Sequence, residues 1–381
     1  MRVAYFTESL YPLVDGVSRT LARLFATLEE RSIDFRVYSP FVPDKSVPWS
    51  GRVRRSGYVH FPPYPDYRIS LPYTRGVLDD ARSFEPDLVH VVSPTPMGLR
   101  ATRIARSLGV PAVTSFHTHF VSYFRYYGVG PLEPFGWWMM KSFYGRFEKV
   151  YAPSESIIRE LGEHQIDNVE LWSRGIDLTL FSPANRSPET VKAAGGDDST
   201  PVLLLVSRLV KEKDLLDLVE VDRILRERGV RFAFAFVGDG PLRSKLEQAL
   251  PAAVFAGHQS GKDLARWYAS ADVFIFPSTT ETLGNVVLEA LASALPSVVV
   301  DRGGPQDLID HGANGFVARA NDPADIAGYL QRLLQDRELR TRMALSARES
   351  ASSRSWSEVN GGLIESYRRV IAAGRGRARD A

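Results

Sequence analysis

The chain has 381 residues, which suits two cores of under about 200 residues each better than one. Charged residues make up 24% of it and the net charge is only +2, so a disordered polyelectrolyte and a strongly nucleic-acid-binding protein are both disfavoured. There is no cysteine, which excludes a disulfide scaffold, a thiolate metal site and a cysteine nucleophile. Met1 leads directly into VAYF without the apolar stretch of a secretory signal, and no run of about 18 apolar residues occurs. A cytoplasmic location is expected, with at most a peripheral contact on the inner face of the cell membrane.

In chain order, Val3 to Phe6 reads as a strand, PLVDGVSR (12–19) as a loop, and Val17, Leu21, Leu24, Phe25 and Leu28 recur at helical spacing. Buried-strand runs follow at Phe35 to Tyr38, Leu88 to Val92 and Ala112 to Ser115, with helix-patterned stretches between them. This alternation implies a parallel sheet covered on both faces. The polar, Pro- and Gly-containing segment 182–200 reads as a linker between residues 1–181 and a second region, 201–355. There the pattern restarts with VLLLV (202–206), a helix from about 214, FAFAFVG (232–238) and DVFIFPS (272–278). An amphipathic helix over 356–373 carries Val359, Leu363, Ile364 and Tyr367 on one face, and 374–381 reads as a frayed, disordered tail.

Open parallel sheets bind ligands at the carboxyl ends of their strands, so the loops there carry the candidate chemistry. Gly16 opens a helix whose free amides suit a phosphate, although a plain turn fits equally. The G-x-G-x-x-G of an ordinary dinucleotide loop is absent, which disfavours an NAD enzyme. In SFHTHF (115–120), His117 is placed to face substrate, the other reading being a satisfied core histidine. In SRLVKEKD (207–214), Ser207, Arg208 and Lys213 lie near a helix start, where two cations suit a diphosphate and a solvated charge run is the bland alternative. In PSTTETLGNVVLEALASALP (277–296), Glu281 and Glu289 offer carboxylates to vicinal hydroxyls, and Leu283, Gly284 and Asn285 offer free amides, the other reading being a helix-capping acid and an unrelated surface glutamate. Gly238, in VGDGP (237–241), lets a ligand approach the backbone.

In combination these motifs resemble family 4 glycosyltransferases of the GT-B fold over nearly the whole chain. Glu281 and Glu289 match that family's paired glutamates, Arg208 and Lys213 its diphosphate-gripping pair, and GDGP, FPS-x-x-ET-x-G and GGP complete the likeness. The resemblance implies an α/β architecture of two Rossmann-like doubly wound parallel-sheet domains facing a central cleft, with the helix from Trp356 crossing back to the N-terminal, acceptor-binding domain. It implies that Glu281 binds the donor sugar's hydroxyls, Glu289 the ribose, the 283–285 amides the sugar and phosphate, and that His117 faces the transferred sugar. SFHTHF, LWSRGID (171–177) and ETLGNVVLEA are similar to enzymes that glycosylate diacylglycerol-type lipids, including sulfoquinovosyl- and mannosyltransferases. Asp15, Ala294 and Gln306 depart from the family pattern.

The activity implied is retaining transfer of a hexose from GDP-mannose or a UDP-hexose to a hydroxyl acceptor, with no metal or other cofactor and no nucleic-acid partner. A glycerolipid or glycolipid at an anionic membrane is the favoured acceptor, and a soluble or polysaccharide-linked one the alternative. A glycosidase using the two glutamates and a sugar-nucleotide sensor without turnover are the rival classes. The aromatic segment 120–147, interleaved with Arg125, Lys141 and Arg146, fits either a membrane interface or a core layer. RVRR (52–55) reads as a basic patch for anionic headgroups.

Overall fold

The computed structural model describes residues 1–61, 64–71, 76–119, 121 and 130–379, without the side chains of 61, 64–67 and 375–379. They fall into two units. One holds Met1–Val121, Pro131–Arg174 and Trp356–Ala381, the other Gly130 and Gly175–Ser355.

In the first unit the strands are β1 (Arg2–Phe6), β2 (Asp34–Ser39), β3 (Val53–Arg55), β4 (Tyr58–Phe61), β5 (Tyr64–Ser70), β6 (Leu88–Val91), β7 (Ala112–Ser115), β8 (Lys149–Ala152) and β9 (Val169–Leu171). Seven of them form one sheet in the order β3-β2-β1-β6-β7-β8-β9, every pair parallel, while β4 and β5 make a separate antiparallel hairpin. Side chains alternate across the pleat, so β1 sends Val3 and Tyr5 into one core and Ala4 and Phe6 into the other. Both faces are buried, which is why the strands read as near-continuous apolar runs.

Helix α1 (Gly16–Glu30) starts at a capping box: Asp15 accepts from the Ser18 amide at 2.7 Å and the Ser18 hydroxyl accepts from the Asp15 amide at 2.9 Å. Ser9 donates its hydroxyl to the same carboxylate at 2.7 Å. Against α1 lies the helix Trp356–Arg379, which brings Leu363, Ile364, Tyr367, Val370 and Ile371 into the core holding Val3 and Tyr5. Asn360 is fully buried in that contact and is satisfied there, donating to Thr27 Oγ1 at 3.0 Å and accepting from the Trp172 indole at 3.4 Å. This helix continues to Arg379, past the 373 at which the sequence reading ends it, because the arginines and alanines that follow are good helix formers that outweigh Gly374 and Gly376.

In the second unit the strands are β10 (Val202–Val206), β11 (Ala233–Val237), β12 (Val254–Phe255), β13 (Val273–Phe276), β14 (Ser297–Val300) and β15 (Gly315–Ala318). They form one parallel sheet in the order β12-β11-β10-β13-β14-β15 around a single core. The boundary falls after Arg174, not across 182–200. That polar segment is folded onto the second unit: Ser182 and Ser187 cap short helical turns at Pro183–Asn185 and Pro188–Ala193, and Ala194 is buried in the core. Arg186 also reaches Asp272 at 3.6 Å.

Ile364 has no exposed surface. Ile364→Ala should therefore lower stability by about 2–5 kcal/mol in urea denaturation. A loss below about 0.5 kcal/mol would show that the terminal helix does not anchor the first unit's core.

Candidate active site

In the second unit the loops that follow β10, β11, β13 and β14 meet at the carboxyl end of the sheet. The turn after β10 ends with Lys213 buried, 8% of its side chain exposed, and its ammonium lies 2.6 Å from Glu281 Oε1 in the loop after β13. Two further ties bind the same loops. Asp214, in a left-handed conformation, accepts from the Thr279 amide at 3.0 Å and hydroxyl at 2.8 Å, and Thr280 donates to the Glu212 carbonyl at 2.9 Å. Asp214, Thr279 and Thr280 belong to the site's scaffold and were not singled out from sequence. Their one signal there is that Asp214 closes the charged turn.

Glycines supply the close approaches. A Cβ on Gly304 would lie 2.1 Å from the Thr282 carbonyl oxygen and one on Gly303 would lie 2.7 Å from that of Glu281, while the Gly304 amide donates to the latter at 2.8 Å. GGP thus packs closely against the backbone of the Glu281 loop. Gly238 is explained in the same way: its Cβ would fall 1.8 Å from the Ser207 carbonyl oxygen, so backbone packing alone requires a glycine there. Its amide donates to Gly257 at 2.8 Å, which sets the 256–262 stretch beside it.

Past Glu281, Leu283 buries its side chain in the core and offers only its backbone, Gly284 is left-handed, and helix Asn285–Ala292 begins without a side-chain cap, with Asn285 exposed. Uncapped amides and the helix dipole make this start favourable for an anion or a sugar hydroxyl. Glu289 lies on the same helix and accepts from the Tyr268 hydroxyl at 2.9 Å, and Tyr268 is held neutral, its pKa raised by burial and then by Glu289. Ser207 is buried and donates to the Arg208 carbonyl at 2.9 Å. Arg208 is not drawn into this cluster. Its side chain is 68% exposed and its ion pair is with Glu212 at 3.9 Å, because a charge run at the rim can satisfy itself locally.

In the first unit, both ring nitrogens of His117 are engaged. Nδ1 accepts from the Arg174 guanidinium at 2.7 Å, since guanidinium can only donate, which leaves the proton on Nε2 for Ser115 Oγ at 2.8 Å. The Ser115 hydroxyl is then free to donate to His90 Nε2 at 3.0 Å, and His90 Nδ1 donates to the Tyr367 hydroxyl. Burial first, then Arg174 and His90, hold the pKa of His117 well below its ordinary value, so it is neutral. The core-histidine reading accounts for all of these contacts.

Gly16 is exposed with open space around it, and Asp15 already occupies the Ser18 amide at that helix start with a carboxylate, which is unfavourable to a phosphate. Glu8, just past β1, was missed from sequence. It is 3% exposed, accepts from Thr95 Oγ1 at 2.7 Å across the point where the strand order reverses, and has its pKa pushed up to about 7 by burial.

Residues 14–180 match the model of Glycosyltransferase Family 4, and 200–336 that of Glycosyl transferases group 1. A GDP-mannose-dependent alpha-mannosyltransferase of Mycolicibacterium smegmatis is 34% identical, over 97% of this chain and 98% of that one. The chain belongs to glycosyltransferase family 4. It is a hexosyltransferase, which sets the glycosidase and sensor readings aside. The family 4 chain is also 33% identical to the sulfoquinovosyl transferase SQD2 of Arabidopsis thaliana, over 93% of this chain and 71% of that one. Among solved structures, sucrose-phosphate synthase of Thermosynechococcus elongatus superposes with a TM-score of 0.76 at 16% identity, covering 98% of this chain and 99% of that one. HepE of Anabaena in complex with UDP gives 0.73 at 19%, covering 96% and 99%. At these identities the likeness speaks to the fold, which is GT-B.

Burial lowers the pKa of His90 from 6.5 to about 3. The unfolded chain takes up a proton at this site below about pH 6.5 while the folded chain does not, so this stabilisation is present above pH 6.5 and is lost as the pH falls toward 3. His90→Asn should therefore flatten the fall in stability between pH 6.5 and 5 by up to about 1.4 kcal/mol per pH unit, read by urea denaturation at a series of pH values.

Proposed function

We propose that this family 4 enzyme transfers a hexose from a nucleotide diphosphate sugar, GDP-mannose or a UDP-hexose, to a hydroxyl of a glycerolipid or glycolipid at a membrane surface, with retention at the anomeric carbon. The observation that carries the donor side is the buried Lys213 ammonium held against Glu281 beside the uncapped start of helix Asn285–Ala292. In the reaction the bond from sugar C1 to the diphosphate oxygen breaks and a bond from the acceptor oxygen to C1 forms on the same face. The acceptor's proton passes to the departing phosphate oxygen, so no side-chain nucleophile is needed. Negative charge builds on the leaving group, where an ammonium and helix-start amides fixed in advance are worth most. Arg208, exposed at the rim, would join on donor binding. Glu281 and Glu289 would accept from sugar and ribose hydroxyls, and His117 would present its ring to the transferred sugar. Fixed cations of this kind suit transfer without a metal.

The acceptor reading is supported by the relatives' activities and by one surface. A further relative, 28% identical over 80% of this chain and 72% of its own length, is an alpha-monoglucosyldiacylglycerol synthase of Streptococcus pneumoniae. Helix Glu133–Tyr144 buries Trp137, Met140, Phe143 and Tyr144 and turns Phe135 (57% exposed), Trp138 (64%) and Met139 outward beside exposed Lys141. Aromatics with a cation at a surface favour a lipid interface. Phe120, Tyr123, Phe124, Arg125, Tyr126 and Tyr127, which belonged to the same aromatic segment, lie outside the described residues. RVRR contributes less than its sequence suggests: Arg52 is paired with Glu29 and Asp34, and Arg54 with Asp80 at 3.4 Å. Among the described residues no helix is long and apolar enough to cross a membrane.

Glu281→Ala and Lys213→Ala should each reduce sugar transfer by about a hundredfold or more, with thermal-shift responses to GDP- and UDP-sugars identifying the donor. Transfer at the parent rate in either variant would overturn the donor site. Flotation with anionic vesicles tests the surface: the parent chain should float and Trp138→Glu should float at least several-fold less. A parent chain that stays unbound and leaves diacylglycerol unglycosylated returns the acceptor to a soluble or polysaccharide-linked molecule.

A further inference from the structure

The chain leaves β9 through Trp172, Ser173 and Arg174, part of a motif for which the donor site has no use. The side chain of Arg174 is only 6% exposed, yet every acceptor it meets is uncharged. Nη1 donates to the carbonyls of Trp172 at 3.1 Å and Ser173 at 3.4 Å, Nη2 donates to His117 Nδ1 at 2.7 Å, and the guanidinium lies over the Trp172 ring at 5.3 Å. No carboxylate among the described residues pairs with it. Elsewhere in the same unit, arginines that are far more exposed have acids: Arg36 has Asp80 at 3.0 Å, and Arg52 has Glu29 and Asp34.

A cation removed from water without a counter-charge is costly, and protein interiors ordinarily supply the acid. His117 cannot act as that counter-charge, being neutral and already accepting from Arg174. These contacts use both Nη1 hydrogens and one on Nη2, which leaves the Nε hydrogen and the second Nη2 hydrogen without an acceptor among the described residues. Two donors on one planar guanidinium match the spacing of two oxygens on a phosphate-type oxyanion. The location is also that of a ligand site, because Arg174 follows β9 and its partner His117 follows β7, both at the carboxyl end of the first sheet.

We propose that Arg174 is an anion-receiving site of the first unit, held open by Trp172, His117 and two carbonyls, and that it takes two oxygens of a phosphate-type group carried by a substrate. That group is either the diphosphate of the nucleotide donor or a phosphate on the acceptor, and the shared chemistry is bidentate recognition of an oxyanion. The rival is a structural arginine that merely splints His117.

Calorimetric titration of the full chain with GDP, UDP, glycerol 3-phosphate and inositol 1-phosphate separates these, using the parent, Arg174→Gln and Arg174→Lys. The expected result is binding by the parent that falls about tenfold or more in Arg174→Gln for at least one probe and is partly restored in Arg174→Lys. The probe affected names the source. Without ligand, Arg174→Gln should melt no lower than the parent, since it removes an uncompensated buried charge, whereas a splint should melt lower when cut. The proposal is overturned if the parent binds none of the probes, if Arg174→Gln changes every affinity by less than about twofold, or if Gln and Lys lose affinity equally. Because the readout is binding rather than turnover, that failure would leave the transferase reading standing, which the Lys213 and Glu281 variants test on their own.

Discussion

The second unit's site depends on one buried ion pair, Lys213 with Glu281 at 2.6 Å. An ammonium this far from solvent is tolerable only with its carboxylate in contact, and the carboxylate's loop is held by two sets of contacts. Asp214 and the Glu212 carbonyl take the hydrogen bonds of Thr279 and Thr280, and Gly303 and Gly304 pack at distances no side chain allows. On the proposed reading, a leaving diphosphate would meet charges and dipoles already positioned by folding, which would leave little reorganisation for the chemical step.

The first unit handles charge in the opposite way. From Arg174 through His117, Ser115 and His90 to Tyr367 the hydrogen bonds form a single chain in which each donor direction follows from the one before, beginning with a guanidinium that cannot accept. Both histidines are kept neutral by burial, so the chain carries one positive charge and no negative one. Where the second unit neutralises its buried cation internally, the first leaves its own unmatched at the ligand end of the sheet.

Much of the fold was legible because strands covered on both faces must be apolar at nearly every position: VAYF, VLLLV, AFAFV and VFIF are strands, and their order gives two doubly wound sheets. Polarity was the misleading signal. Residues 182–200 look like a linker because serine caps and short helical turns are hydrophilic, yet they lie on the second unit, and a burial of Ala194 cannot be read from composition. In the candidate site, Lys213, Glu281 and Glu289 stand out in the sequence by type and spacing, whereas spacing could not tell that Lys213 turns inward and Arg208, five positions earlier in the chain, turns out. Gly238 carries a related ambiguity, since a glycine required by a neighbouring carbonyl looks the same in sequence as one required by a ligand. Arg174 and Glu8 escaped because a buried charge announces itself only through the partners it lacks or the depth at which it lies.

The helix Trp356–Arg379 completes a core whose other walls are made of Val3, Tyr5, Leu21 and Phe25. A ribosome must synthesise all of Gly175–Ser355 before that helix exists. Domains emerging in order usually fold N-terminal first. Here the earlier-made half waits with an apolar face uncovered while the later-made half can finish, so the order of completion during translation is the reverse of the order of synthesis.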